Sequence, residues 1–97
     1  MHTVDLTLPE AGLDFTIARA AADAVAQPQS AQAHSEPMLL AWFDGKRDTG
    51  YPQVQECTGT TPGWLAYAKS HGGDLRVNVN HRAFVFIFAV GVAPERG

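Results

Sequence analysis

Two extended runs near the C-terminal end, DLRVNVN and AFVFIFAV, separated only by His81 and Arg82, restrict this chain more than any other feature. Side chains alternate between the two faces of a strand, so the length of the connecting loop decides which of them share a face. A two-residue loop aligns Leu75, Val77 and Val79 with Phe84, Phe86 and Phe88, whereas a three-residue loop sets apolar against polar. Parity therefore predicts a tight hairpin. Asn-Gly is the preferred pair at such a turn, so His81-Arg82 has to tolerate positive φ or pass the turn to Asn80 and His81, and a strained or bulged tip is expected. The opposite face carries Arg76, Asn78 and Asn80 beside Val85, Ile87 and Ala89. Half polar and half apolar, that face calls for a cover, from another element or from a second chain.

Upstream of the hairpin, TVDLTL alternates with Val4, Leu6 and Leu8 on one face, and Pro9 stops the ladder because it has no N–H to give. LDFTIARAAADAVAQ places Leu13, Ile17, Ala21 and Val25 at intervals of four, the apolar stripe of an amphipathic helix, with Asp14 or Thr16 available to cap its start. Its alanines present a low surface suited to close approach to a sheet. The aperiodic stretch 28–37, bracketed by Pro28 and Pro37 and containing His34, reads as an exposed connector. MLLAWFD is apolar on both faces, with Met38, Leu40 and Trp42 on one and Leu39, Ala41 and Phe43 on the other, as an interior strand is. DGKRDTGYP is dense in turn formers, and QVQEC resumes an extended pattern that pairs back as a third strand. In TTPGWLAYAKSHGG, Thr61 is a natural N-cap, Pro62 suits the first helical position and Gly72 suits a left-handed C-terminus. Trp64 and Leu65 are the core anchors of that short helix. The order is β-α-β-β-α-β-β: an α+β fold with a mainly antiparallel sheet of about five strands and both helices on one face.

Length and composition agree with a single domain over 1–97, ending in a flexible tail at 91–97. Of its 97 residues, 45% are apolar and 18% charged, a balance that supports a packed core. A net charge of −3, with seven dispersed Lys and Arg, argues against nucleic-acid binding, which needs cations along the phosphate backbone. The opening MHTVDLTLPEAG has no basic-then-apolar leader, and the longest apolar run, Ala83 to Val90, is too short to span a bilayer, so no membrane association and a cytoplasmic location are expected. Cys57 is the only cysteine, which leaves no intramolecular disulfide and no cysteine-based zinc framework.

The segments MLLAWFDGKR, GWLAYAKSHGGDLRVNVN and AFVFIF together resemble a small family of archaeal and bacterial proteins, a domain of unknown function. The resemblance covers Leu13 to Phe88. It departs from the family at the hairpin tip, where relatives carry glycine, and at AVGVAPERG, which runs past their usual end. It implies a compact α+β domain and supplies no activity to transfer.

Candidate chemistry is sparse. Cys57 with His71 or His81 suggests a thiol nucleophile and its base, the route to a small hydrolase or transferase, but a buried structural cysteine is the commoner role. The four histidines, His2, His34, His71 and His81, match no compact metal spacing, and His71 has a structural account as an imidazolium at a helix C-terminus. No cofactor or metal is expected, and no catalytic set can be assembled. The TGTTPGW segment ends at a helix N-terminus, so Gly59, Thr60, Thr61 and Gly63 form a candidate anion site, although the phosphate-loop lysine is missing. Trp42 and Asp44 offer a polar rim at the first hairpin. Arg76, Asn78 and Asn80 form a row aimed one way by period-2 spacing, and beside Tyr67 or Trp64 they can line a pocket for a small polar ligand. The leading expectation is a non-catalytic interaction or small-ligand-binding domain that self-associates, as a homodimer, through apolar surface on 83–90.

Overall fold

A computed structural model describes residues 1–31, 36–53 and 61–91. Within them the order is β1 (His2–Leu6), α1 (Phe15–Ala31), β2 (Met38–Asp44), β3 (Thr49–Tyr51), α2 (Gly63–Ser70), β4 (Leu75–Val79) and β5 (Phe84–Ala89). The strands form one five-stranded sheet in the spatial order β1-β4-β5-β2-β3. The α+β class, the mainly antiparallel sheet and the element order are those the sequence predicts. One pair departs from the antiparallel pattern, because β1 runs parallel to β4, with His2 opposite Leu75 and Leu6 opposite Val79.

The hairpin keeps its predicted register. Val79 pairs with Phe84 and Leu75 with Phe88. Asn80 and His81 take the turn at φ of 50° and 66°, and the Ala83 N–H donates to the Asn80 carbonyl at 3.2 Å. Phe84, Phe86 and Phe88 thus join Leu75, Val77 and Val79 in one buried cluster, while Val85 and Ile87 join Ala41, Trp64 and Ala68 in another. β5 is the central strand and is buried on both sides.

That two-sided burial corrects the placement of the helices on one face. α1 lies on the phenylalanine side and α2 on the Val85 and Ile87 side, because a central strand apolar on both faces needs cover on both. It also removes 83–90 as a contact surface for a second copy. The cover expected for the half-apolar face is supplied from within the chain, over its apolar half.

Helix α1 starts where Asp14 Oδ1 accepts the Ile17 N–H at 2.9 Å, one of the two expected caps. The stripe it buries is Ala18, Ala22 and Ala26, all fully enclosed, while Ile17 is half-exposed. Of the expected Leu13, Ile17, Ala21, Val25 stripe, Leu13 and Val25 do reach this cluster, but along the middle of the helix the enclosed face is the alanine one, because Phe84, Phe86 and Phe88 leave little depth beneath it. The helix also runs on through Pro28, into the stretch expected to be connector. Pro28 and Ala24, whose carbonyl loses its intrahelical partner, are both exposed, so water can take the missing bond.

On β2 a bulge between Leu39 and Ala41 reverses the predicted parity. Leu39 now sits with Trp42 on the α1 side, and Leu40 packs with Ala41 and Phe43 towards α2. β3 is Thr49–Tyr51, within the stretch read as turn, and pairs Tyr51 with Trp42. Residues 54–57 of the expected third strand lie outside the described residues, as do the core of the connector, 32–35, and residues 92–97 of the tail. α2 is capped differently from expectation: Pro62 occupies the N-cap position without a side-chain bond, and Thr61 precedes it in an isolated bridge. Its C-terminus is as predicted, with Gly72 at φ 89° and the Gly73 N–H donating to the Ala68 carbonyl at 2.8 Å.

Candidate functional site

The sheet face that α2 covers is only partly closed. Trp64 lies flat on Phe43, with ring centroids 5.5 Å apart, and Ala68 reaches Ile87, so α2 sits above β3, β2 and β5. On the same face, strands β4 and β1 present Arg76 and Asn78 beside Thr3 and Asp5, by the parallel register. These side chains form a chain of hydrogen bonds. Arg76 Nε donates to Asn78 Oδ1 at 2.9 Å, and Asn78 Nδ2 donates to Asp5 Oδ1, also at 2.9 Å. The amide of Asn78 is thereby oriented from both ends, oxygen towards the cation and nitrogen towards the carboxylate.

Arg76 is held at a cost. Burial lowers its pKa from the ordinary arginine value, the positive charge of Arg82 at the hairpin tip lowers it further, and Asp5 partly offsets both. It stays charged at neutral pH. Among the described residues no hydrogen bond engages its two terminal nitrogens, so the planar end of the guanidinium is available to an incoming acceptor.

The other predicted site residues separate into different places. Trp42 lies on the α1 side, stacked on Tyr51 at 5.6 Å and edge-on to Phe15, so the sheet stands between it and Trp64. Asp44 is buried and accepts the Lys46 and Arg47 backbone N–H groups at 3.0 and 3.3 Å, which closes the β2–β3 turn. Asn80 leaves the expected row at the strand end: its Oδ1 accepts the Leu8 N–H at 2.7 Å and its Nδ2 donates to the Leu8 carbonyl at 3.0 Å. Tyr67 stacks on His71 at 3.9 Å, and His71 Nδ1 bonds the Tyr67 carbonyl at 2.8 Å, the helix-end role expected of that histidine. Trp64 is core. Of the candidate anion residues, Thr61 and Gly63 are half-buried at the α2 start, and Gly59 and Thr60 lie outside the described residues, as does Cys57.

The residues that sequence reasoning missed are Thr3, Asp5 and Arg82. TVDL places Thr3 and Asp5 on the polar face of their own strand, but nothing local announces that this strand lies beside β4. Among the described residues no group of three or more His, Cys, Asp or Glu could hold a metal ion, and no helix is long and apolar enough to cross a membrane.

Comparison with known proteins adds the family and the fold. No curated protein matches the chain. A crystal structure from Archaeoglobus fulgidus, described as that of a novel protein, superposes with a TM-score of 0.70 at 24% identity and covers 99% of each chain, a likeness of fold. The family described as a domain of unknown function, DUF5619, matches residues 1–88, and the chain belongs to that family.

Proposed function

We propose that this chain is a non-catalytic, cytoplasmic binding module that self-associates and holds a small anionic ligand on the open half of the α2-side sheet face. The observation that carries this reading is the tethered Arg76. Its Nε is fixed through Asn78 to Asp5, and its terminal nitrogens are uncommitted among the described residues. A guanidinium oriented from behind, partly desolvated and next to a second arginine charge is a pre-organised acceptor site for a carboxylate or phosphate. An anion there offsets the repulsion from Arg82 and the cost of burial together.

Among the described residues of this face nothing supports the alternative of a cysteine- or histidine-dependent hydrolase or transferase. Thermal melting in rising inorganic phosphate or citrate tests the ligand reading at constant ionic strength. The melting temperature of the natural chain should climb with either anion, and that of Arg76→Gln should not. Equal gains in both would place the anion elsewhere and overturn the assignment. Light scattering at tens of micromolar tests self-association, which a strict monomer refutes.

A further inference from the structure

The sheet has two edges, and among the described residues only one of them is protected. β3 is three residues long and Pro52 follows it directly, so it gives a partner strand little to pair with. β1 is five residues long, pairs with β4 in an unbroken register, and contains no lysine, proline or bulge. The carboxylate of Asp5 is drawn onto the sheet face by Asn78 instead of guarding the edge.

The backbone of β1 shows which groups are free. The His2 N–H donates to the Asp74 carbonyl at 3.0 Å, and the Leu6 carbonyl accepts the Asn80 N–H at 2.8 Å. Even-numbered residues therefore direct their backbone groups inward to β4. Strand alternation then points the N–H and C=O of Thr3 and Asp5 outward, away from the sheet. From this geometry we infer that two copies of the chain join edge to edge through antiparallel pairing of β1, with the two-fold axis at Val4. This rests on the self-association reading above and supplies its interface.

The register follows from the residues themselves. With Val4 opposite Val4 of the second copy, Thr3 and Asp5 form the hydrogen-bonded pairs: each Thr3 exchanges N–H and C=O bonds with Asp5 of the other copy. Their side chains meet on the α2-side face, hydroxyl to carboxylate. Sliding one way sets Asp5 against its own copy, like charge on like charge. Sliding the other way sets Thr3 against Thr3 and shortens the ladder. The central register also brings Asp5 of the second copy to within two strands of Arg76, so the two open faces merge into one surface with the cations flanking the carboxylates.

The alternation also supplies the test. Thr3→Pro removes an outward N–H and leaves the bonds to β4 intact. Light scattering should report a dimer for the natural chain and a monomer with an unchanged circular dichroism spectrum for Thr3→Pro. In a Cys57→Ser background, Val4→Cys should cross-link on mild oxidation. A non-hydrogen-bonded antiparallel pair sets the Cα atoms about 4.5 Å apart, within disulfide reach. Leu6→Cys, opposite His2, should stay monomeric on denaturing gels, and the Val4→Cys result decides the matter if Thr3→Pro fails to fold. A monomeric natural chain overturns both the self-association reading and this interface. A dimer that persists in a folded Thr3→Pro variant, or Val4→Cys that cross-links no faster than Leu6→Cys, overturns the interface alone.

Discussion

Trp64 lies directly over Gly50. A Cβ built on that glycine would collide with Trp64 Cδ1, and it would stand 2.8 Å from Cγ and 2.9 Å from Nε1. The same indole is stacked on Phe43, at an interplanar angle of 17°. Since Gly50 and Phe43 are cross-strand neighbours, the ring rests on β2 and β3 together. Gly50→Ala should destabilise the chain by about 1–3 kcal/mol, the usual range for overpacking a filled core. Urea denaturation measures it, and a midpoint equal to that of the natural chain would mean that Trp64 is not seated on this glycine.

The alanine stripe of α1 makes a second prediction, because it separates burial from hydrophobicity. Ala22 is fully enclosed, whereas Ile17, the more hydrophobic residue, is 50% exposed. Ala22→Leu should cost about 1–3 kcal/mol through overpacking. Ile17→Gln should stay within about 0.5 kcal/mol of the natural chain, as surface substitutions do. Thermal melts that reverse this order would restore the stripe expected from Leu13, Ile17, Ala21 and Val25.

Why α1 defeated its helical period is instructive about what a sequence carries. Hydropathy ranks isoleucine above alanine, but the space under the helix is set by Phe84, Phe86 and Phe88, which stand far away in the chain. Period-2 parity succeeded at β4 and β5 because pairing there is local and the turn leaves one register. It failed on β2, where a single bulge at Leu40 exchanged the faces of Leu39 and Leu40. The helix placement was legible in part: Val85 and Ile87 required cover, but nothing local said that α2 would supply it while α1 took the opposite face. The binding face was half legible. Arg76 and Asn78 follow from alternation, but Asp5 and Thr3 reach them only through a parallel pairing across 73 residues, which no local pattern encodes.

Arg76 supplies the third prediction, in which stability and binding oppose one another. Its pKa is lowered in the folded chain, first by burial and then by Arg82, so folding disfavours its charged form. A base with a lowered folded pKa detracts from stability at every pH below that value, neutral pH included, and the penalty is relieved only in strong alkali. Arg76→Met keeps the aliphatic stem and removes the charge. The variant should be as stable as the natural chain at pH 7, or slightly more so, while losing the response to phosphate. A clear loss of stability on heating would instead show that the bond to Asn78 outweighs the desolvation.

Asn80 makes the last prediction, since three of its properties serve one structural end. Its φ of 50° is a backbone conformation that asparagine tolerates better than most residues. Its backbone N–H reaches the Leu6 carbonyl, and its side-chain amide both accepts from and donates to Leu8. The amide thus acts as one further rung of the sheet, extending β4's hold on β1 by two residues. Three substitutions separate the contributions. Asn80→Gly keeps the turn and removes the rung, so it should cost about 1–2 kcal/mol for two hydrogen bonds whose partners regain some water. Asn80→Asp keeps the acceptor for the Leu8 N–H but sets a carboxylate oxygen against the Leu8 carbonyl, so it should cost more than Asn80→Gly. Asn80→Ala loses the rung and strains the turn, so it too should cost more than Asn80→Gly. Hydrogen exchange provides the local readout: the Leu8 amide should be protected in the natural chain and should exchange faster in Asn80→Gly, while the Val77 and Phe86 amides keep their rates under conditions of local opening. Uniform acceleration at all three positions would mean that Asn80 supports the whole sheet and not this one rung.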